Sequence, residues 1–310
     1  MKDNKTMDNT KYAVIIPCLN EEKTIGKVIN DFKRELPSAR IIVADNNSSD
    51  KSREIAKECG AEVIIEKRRG KGNVIQTAFN KIDADIYIMA DADDTYPVEE
   101  IKKLIEPVTK DEADMVVGSR LEHATSKSLK LINRIGNILI LSILNMCFSS
   151  KLKDVLSGYR VINRNLIKNS PIVATGFEIE TELTLQALVK NFRITEIPIK
   201  YRRRTEGSSS KIKVFKDGLR IILTIVTLMR DYRPLVFFSI ITVFFVILGL
   251  IAGLNVVYQY MQTGIAESRL PLAVLSVTLI IIGIIFFVTG FIVTTINRRF
   301  REIDIFLRRR

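Results

Sequence analysis

Two rhythms of apolar residues divide this chain. Up to Ser119, short β-branched runs alternate with stretches in which apolar residues recur every three or four positions, whereas beyond Pro234 the apolar residues become nearly continuous. The short runs are Tyr12 to Pro17, Ile41 to Ala44, Val63 to Ile65, Ile86 up to Asp91, and Met115 to Gly118, each with the length and composition of a buried parallel strand. After the first, Ile25, Val28, Ile29, Phe32 and Leu36 keep helical spacing, and Asn20 is a candidate cap. Asp45 to Asp50 is a run of turn and cap residues that opens a second helix through Cys59. Lys67 to Asn73 sets two glycines in a basic loop ahead of a third helix; backbone amides and cations there suit phosphate, and a solvated basic turn has the same composition. The alternation predicts an α/β fold with a mostly parallel, doubly wound sheet. Its carboxyl edge gathers Pro17 to Asn20, Asp45 and Asp91 to Asp93 in one crevice.

The second rhythm changes the class of protein. Leu235 to Val257 and Leu270 to Ile296 carry no formal charge, and each is long enough to cross a bilayer as a helix, for which about 20 residues suffice. The short segment Tyr258 to Arg269 joins them, so the pair forms a hairpin with both ends on one side. Arg230 and Arg233 precede it, and Arg298, Arg299, Arg301 and Arg308 to Arg310 follow, which predicts a multi-pass membrane protein with the large domain and both termini in the cytoplasm. The polar amino terminus does not read as a cleavable signal. Leu129 to Phe148 is a helix of broad apolar coverage, packed in the core or lying at the bilayer surface; Ile212 to Tyr232, which runs straight into the first span, reads as interfacial. Gly249 and Gly253 have a spacing common in membrane helices and give no signal for an oligomer. The expected organisation is a disordered tail over 1–11, a catalytic domain over 12–210, an amphipathic helix over 211–234, the two spans within 235–297, and a basic tail over 298–310.

Charge and the sparse residue types narrow the chemistry. The 310 residues carry a formal net charge of +12, but many of the cations flank the membrane segments, where anionic lipid is a nearer partner than nucleic acid. Cys18, Cys59 and Cys147 match no zinc or disulfide spacing and read as reduced thiols. His123 is the only histidine, so a multi-histidine metal site within the chain is excluded and any metal is held by oxygen.

Ile86 to Pro97 reads Ile-Tyr-Ile-Met-Ala-Asp-Ala-Asp-Asp-Thr-Tyr-Pro. An apolar strand ends abruptly in three acids, which repel one another unless a cation neutralises them. In extended backbone Asp91 and Asp93 would point the same way, and two hard oxygen donors suit Mg²⁺ or Mn²⁺ bridging phosphates. Asp94 reads as a capping residue.

In order and spacing, Ile16-Pro17-Cys18-Leu19-Asn20-Glu21, Asp45 with its turn, Asp91-Ala92-Asp93, Gly118-Ser119-Arg120, Ser157-Gly158-Tyr159-Arg160, Glu182 after Gly176-Phe177, and Arg204 to Lys211 resemble the inverting glycosyltransferases of family 2 with the GT-A fold. The resemblance extends in particular to the membrane-bound polyprenyl- or dolichyl-phosphate sugar synthases, and covers roughly Tyr12 to Tyr232. It implies that Pro17, Asn20, Glu21 and Asp45 line the nucleoside pocket of a nucleotide-sugar, and that Asp91 and Asp93 hold the divalent metal. It further implies that Arg120 and Arg134 receive the acceptor phosphate, with Lys211 near the leaving diphosphate and Arg204 on the phosphate side. Glu182 orders the neighbouring loop or touches the sugar. Asn46-Asn47 after Asp45, Thr95 after the metal pair, and a late loop one residue longer all depart from the mannose branch, which favours UDP-glucose or UDP-N-acetylglucosamine over GDP-mannose. A hydroxyl acceptor, with Glu182 as base, and a non-catalytic membrane scaffold are the remaining alternatives. A processive synthase would need a tryptophan motif, and the chain has no tryptophan.

Overall fold

The computed structural model describes residues 10–120, 151–202, 233–264 and 269–308, with scattered positions between residues 141 and 231. Arg134, Arg204 and Lys211 lie outside the described residues, as do most of the helix expected over 129–148, nearly all of the amino-terminal tail, and most of 211–232. The chain divides into two compact units, one ending at Ile225 and the other beginning at Val226.

In the first unit the expected alternation is present: β1 (Tyr12–Cys18), α1 (Ile25–Glu35), β2 (Arg40–Asp45), α2 (Ser52–Glu58), β3 (Glu62–Ile65), α3 (Lys71–Lys81), β4 (Ile86–Met89), α4 (Ile101–Thr109) and β5 (Met115–Ser119). It continues through β6 (Arg160–Asn163), α5 (Arg164–Asn169), α6 (Ile179–Val189) and β7 (Ile194–Pro198), elements that the apolar pattern does not announce. The seven strands are ordered β3-β2-β1-β4-β6-β5-β7. All neighbours run parallel except β6, which is antiparallel to both β4 and β5. Burial on both faces explains the continuous apolar runs of β1, β2, β4 and β5, whereas β3, expected to be buried too, is an edge strand and leaves Ile65 exposed. Alternate residues of β1 feed separate cores: Val14 and Ile16 pack with α1 and α4, while Ala13 and Ile15 pack with α3 and α6.

The chain leaves β1 toward β2 and β3 and returns on the other side at β4, so the order reverses between β1 and β4. A crevice opens outside the carboxyl ends of strands at such a point, where a ligand meets loop backbone rather than packed side chains. Cys18 pairs with Asp45 and Ile15 with Met89, which fixes the ends of three strands along that edge.

The second unit holds α7 (Pro234–Thr263) and α8 (Leu270–Arg308), both long and apolar enough to cross a membrane. The first extends past the expected Val257, so the connecting turn is shorter than the sequence suggested and closes on Gly264 at φ +68°. The helices run antiparallel, with Gly290 against Phe238, Gly283 against Thr242 and Gly249 against Ser276 and Ile280. Ser276 Oγ donates to the Gly249 carbonyl at 2.8 Å and Thr242 Oγ1 to the Gly283 carbonyl at 3.0 Å. Gly249 and Gly253, which carry no oligomer signal in the sequence, are thus spent on packing within the hairpin. Phe244, Leu254, Met261 and Phe291 point outward and are each more than half exposed, part of an apolar surface of the kind that marks an interaction with a membrane or a partner.

Candidate active site

Where β4 stops, the acids do not continue the strand. Pairing with β6 ends at Met89, opposite Arg160, the Ala90 amide still donates to the Ile15 carbonyl of β1 at 3.3 Å, and the chain then turns at Ala92-Asp93. The expectation that Asp91 and Asp93 face one way from extended backbone is therefore replaced by a turn that gives each acid its own partners. Asp91 Oδ1 accepts from Lys71 Nζ at 2.5 Å, its Oδ2 has no hydrogen-bond donor among the described residues, and the side chain is 29% exposed. Asp93 is buried and Oδ1 accepts from the Thr95 amide at 3.2 Å and from Thr95 Oγ1 at 2.6 Å. Asp94 is no cap: at φ +57° it accepts from Lys27 at 2.6 Å and pairs with Arg202 at 3.5 Å, tying α1 to the segment after β7.

The edge beside it is built from β1 and β2. Asn20 does not cap α1, whose N-cap is Thr24 without a side-chain hydrogen bond. Instead Asn20 sits at φ +52°, and its side-chain carbonyl accepts from the Ser49 amide at 2.8 Å. The Glu21 amide donates to Ser52 Oγ at 2.8 Å. Pro17, partly buried, pairs with Ala44 across the strands. Asp45 is fully buried, accepts from the Ser48 amide and is met by Arg53 Nε at 2.6 Å. Asn46, one of the departures noted in the sequence, accepts from the Gly70 amide at 2.7 Å and donates to the Arg68 carbonyl at 2.8 Å, so it fastens the basic loop to β2. Cys18 and Cys59 are free thiols, and burial pushes the Cys18 thiol up to about 12, leaving it unreactive.

Both glycine amides of the basic loop, expected of a phosphate cradle, are already taken, that of Gly70 by Asn46. The Gly72 and Asn73 amides donate to the carbonyls of Gly176 and Thr175. A Cβ on Gly72 would lie 2.1 Å from the Ala174 carbonyl oxygen. Helical Gly→Ala normally stabilises by up to about 1 kcal/mol. Here the backbone clash reverses the sign, and Gly72→Ala is expected to cost about 1–3 kcal/mol, read as a lowered unfolding midpoint.

That facing loop is held from below by α6. Glu182 is buried and its carboxylate accepts from the Val173 and Ala174 amides; burial raises its pKa against those bonds. Glu178 accepts from the Thr175 and Gly176 amides. Glu180 Oε1 pairs with Lys71 Nζ at 2.6 Å. Burial opposes charge on Lys71, yet Asp91 and Glu180 outweigh it and push the ammonium's pKa up.

On the far side of the crevice, Arg120 makes a bidentate pair with Asp154, at 2.8 and 2.9 Å, and lies 5.7 Å over the Tyr201 ring. Asp154 is fully buried, and despite that burial Arg120 holds its carboxyl below the usual range. The segment from Val155 to Gly158 is shaped by Arg160, fully buried, which donates to the Ser157 and Val155 carbonyls and to Thr184 Oγ1. Burial pushes this guanidinium down to about 10, against the pull of Glu180 and Asp154. Tyr96 receives the Gly158 amide at 2.9 Å and stacks on Tyr159 at 5.0 Å.

The structure thus brings Pro17, Asn20, Glu21, Asp45, Asp91 and Asp93 to the carboxyl edge of the sheet, and adds Lys71, Glu180 and Asp154, which the sequence pattern does not single out. No group of three or more histidine, cysteine or acidic side chains able to hold a metal occurs among the described residues. Two carboxylates from one turn still fit a hard cation, because Mg²⁺ and Mn²⁺ take one or two carboxylates and complete their shell with phosphate oxygens and water. The free Oδ2 of Asp91 is the donor such an ion would meet first.

Residues 13–170, about half of the chain, match the model of glycosyl transferase family 2. The chain is 29% identical over 273 residues to glycosyltransferase AglJ of Haloferax volcanii, covering 88% of this chain and 89% of that protein. It is also 29% identical over 222 residues to a dolichyl-phosphate hexose transferase of the same organism, covering 71% of this chain and 95% of the relative. Among solved structures, glucosyl-3-phosphoglycerate synthase of Mycobacterium tuberculosis with Mn²⁺ and UDP-glucose matches at TM-score 0.58, over 71% of this chain and 79% of that one. At 20% identity it establishes likeness of fold alone. With its doubly wound sheet, acid-rich strand end and matched sequence, the chain belongs to glycosyl transferase family 2 and is a glycosyltransferase.

Proposed function

We propose that the protein moves a hexose, from UDP-glucose or UDP-N-acetylglucosamine, onto a polyprenyl or dolichyl phosphate with inversion at the anomeric carbon. The observation that carries this reading is the presence of two groups in the same catalytic unit: a carboxylate with an open oxygen at the strand end, Asp91, and a guanidinium fixed in place by Asp154, Arg120. The apolar hairpin supports the lipid acceptor, because a long isoprenoid chain stays in the bilayer and its phosphate is met at the interface. The dolichyl-phosphate hexose transferase of Haloferax volcanii supports it further.

In this reading Pro17, Asn20, Glu21 and Asp45 line the nucleoside pocket, and Arg204 and Lys211 stand on the phosphate side. Asp91 and Asp93 would hold Mg²⁺ or Mn²⁺, which when bound neutralises charge gathering on the departing diphosphate. Arg120 and Arg134 orient the acceptor phosphate by charge-assisted hydrogen bonds. One phosphate oxygen forms the new bond to the anomeric carbon as the bond to the diphosphate breaks, and the electron pair leaves with the nucleotide. No general base is required: a lipid phosphate with a second pKa of about 6 is already ionised at neutral pH. Glu182, occupied by loop amides, is then a positioning residue.

Arg230, Arg233, Arg298 and Arg299 flank the hairpin, which supports a cytoplasmic catalytic unit by the positive-inside rule. The test is transfer in sealed inside-out membrane vesicles supplied with polyprenyl phosphate and a panel of UDP- and GDP-sugars. A β-linked lipid-phosphate hexose from a UDP-sugar added outside is expected in the organic extract by mass spectrometry. Product formed on sugar alcohols but not on the lipid phosphate would overturn the acceptor, and product confined to right-side-out vesicles would overturn the orientation.

A further inference from the structure

Asp91 is already neutralised within the protein. Lys71, at the start of α3, is 9% exposed and bridges two carboxylates, Asp91 Oδ1 at 2.5 Å and Glu180 Oε1 at 2.6 Å. The Ser157-Gly158 segment closes over this contact so tightly that a Cβ on Gly158 would lie 3.1 Å from both Lys71 Nζ and Asp91 Oδ2. Arg160, fully buried at the start of β6, gives its hydrogen bonds to carbonyls, a hydroxyl and a thioether rather than to an acid, and so takes no part in this bridge. Three charges of alternating sign, Asp91, Lys71 and Glu180, therefore run in series.

A divalent cation approaching this series alone meets an ammonium on the carboxylate it needs, and at such distances in a partly buried site the repulsion is not screened away. A nucleoside diphosphate changes the balance, for it brings the negative charge that a second cation requires. We propose that Lys71 is an internal counter-cation for Asp91 that makes the divalent ion enter with the nucleotide rather than before it, Glu180 keeping the ammonium when Asp91 is taken. The proposal rests on Asp91 being a metal ligand, as in the function given above. It makes Lys71 and Glu180 positioning residues that set the order of binding.

The experiment is a Mn²⁺ titration of the full detergent-solubilised chain, followed by electron paramagnetic resonance of free Mn²⁺, with and without UDP or GDP. In the parent protein either nucleotide that binds is expected to tighten Mn²⁺ binding by about tenfold or more. Lys71→Gln, which keeps an amide to donate to the two acids, is expected to tighten Mn²⁺ binding without nucleotide by a similar factor and to erase most of the coupling. Glu180→Gln moves the other way, leaving Lys71 on Asp91 alone and weakening Mn²⁺ with or without nucleotide. Opposite signs in two variants of similar melting temperature separate this device from simple damage. The proposal falls if the parent binds Mn²⁺ equally well without nucleotide, or if Lys71→Gln leaves that affinity unchanged. If Lys71→Gln does not fold, unchanged Mn²⁺ affinity in Glu180→Gln overturns it instead. Absence of Mn²⁺ binding in every variant with either nucleotide would remove the metal reading beneath it.

Discussion

Asp91→Asn is expected to lower sugar transfer by at least about a hundredfold, since cation stabilisation of a departing diphosphate is worth several kcal/mol and about 1.4 kcal/mol is a factor of ten. Asparagine keeps the shape and one acceptor oxygen, so Lys71 retains a hydrogen bond there as well as its pair with Glu180. The fold should survive, and the loss should appear in turnover at saturating Mn²⁺ with a melting temperature near the parent's. Asp94→Asn is the internal comparison. It sits three residues on, but its partners Lys27 and Arg202 are exposed by 52% and 38%, and such ion pairs are worth about 0–1 kcal/mol. Near-parent turnover in Asp94→Asn beside collapse in Asp91→Asn is the expected pattern. Full turnover in Asp91→Asn, measured as radiolabelled sugar entering the organic phase, would remove the metal from the mechanism.

The first half of the sheet is legible in the sequence for a plain reason. Strands β1 to β5 are each a short apolar run closed by turn residues, and the helices between them keep one apolar face. That signal fails from β6 onward. Arg160 opens β6 and is fully buried, but an arginine in sequence reads as surface until the carbonyls that receive it are known. Helix α6 buries Glu180, Thr181, Glu182, Thr184 and Gln186 together with its apolar residues, so it has no polar face to betray a period. The turn after Asp91 reads as strand because nothing in Ala90-Asp91-Ala92 marks where pairing with β6 ends.

Lys71, Glu180 and Asp154 escape notice for a related reason. Lys71 stands in plain view in a loop of four cations, and composition does not say which of them turns inward. Glu180 stands in Glu178-Ile179-Glu180-Thr181-Glu182, whose three acids at alternate positions are a signal that the stretch is no ordinary surface. In the structure the three acids divide their partners, Glu178 and Glu182 holding loop amides while Glu180 holds the Lys71 ammonium. The apolar hairpin needs no such detail, because length and continuous apolarity announce two helices long enough to cross a bilayer.

Asp154→Leu should be the most destabilising change in the catalytic unit. It leaves the Arg120 guanidinium, 15% exposed, without its bidentate partner, and breaking a buried pair from one side costs about 3–5 kcal/mol. In a unit of this size that corresponds to a melting temperature lower by on the order of 10 °C. Joining it to Arg120→Met should recover most of the loss, since exchanging both partners for apolar residues of similar bulk is often neutral or stabilising, apart from the Arg120 amide that also donated to Asp154 at 3.0 Å. Stability and catalysis then part company. If Arg120 receives the acceptor phosphate, the double variant stays inactive at a restored melting temperature while still binding UDP in a calorimetric titration. Recovered transfer in the double variant would show that the pair serves the fold alone, and would move acceptor recognition to other cations of the chain.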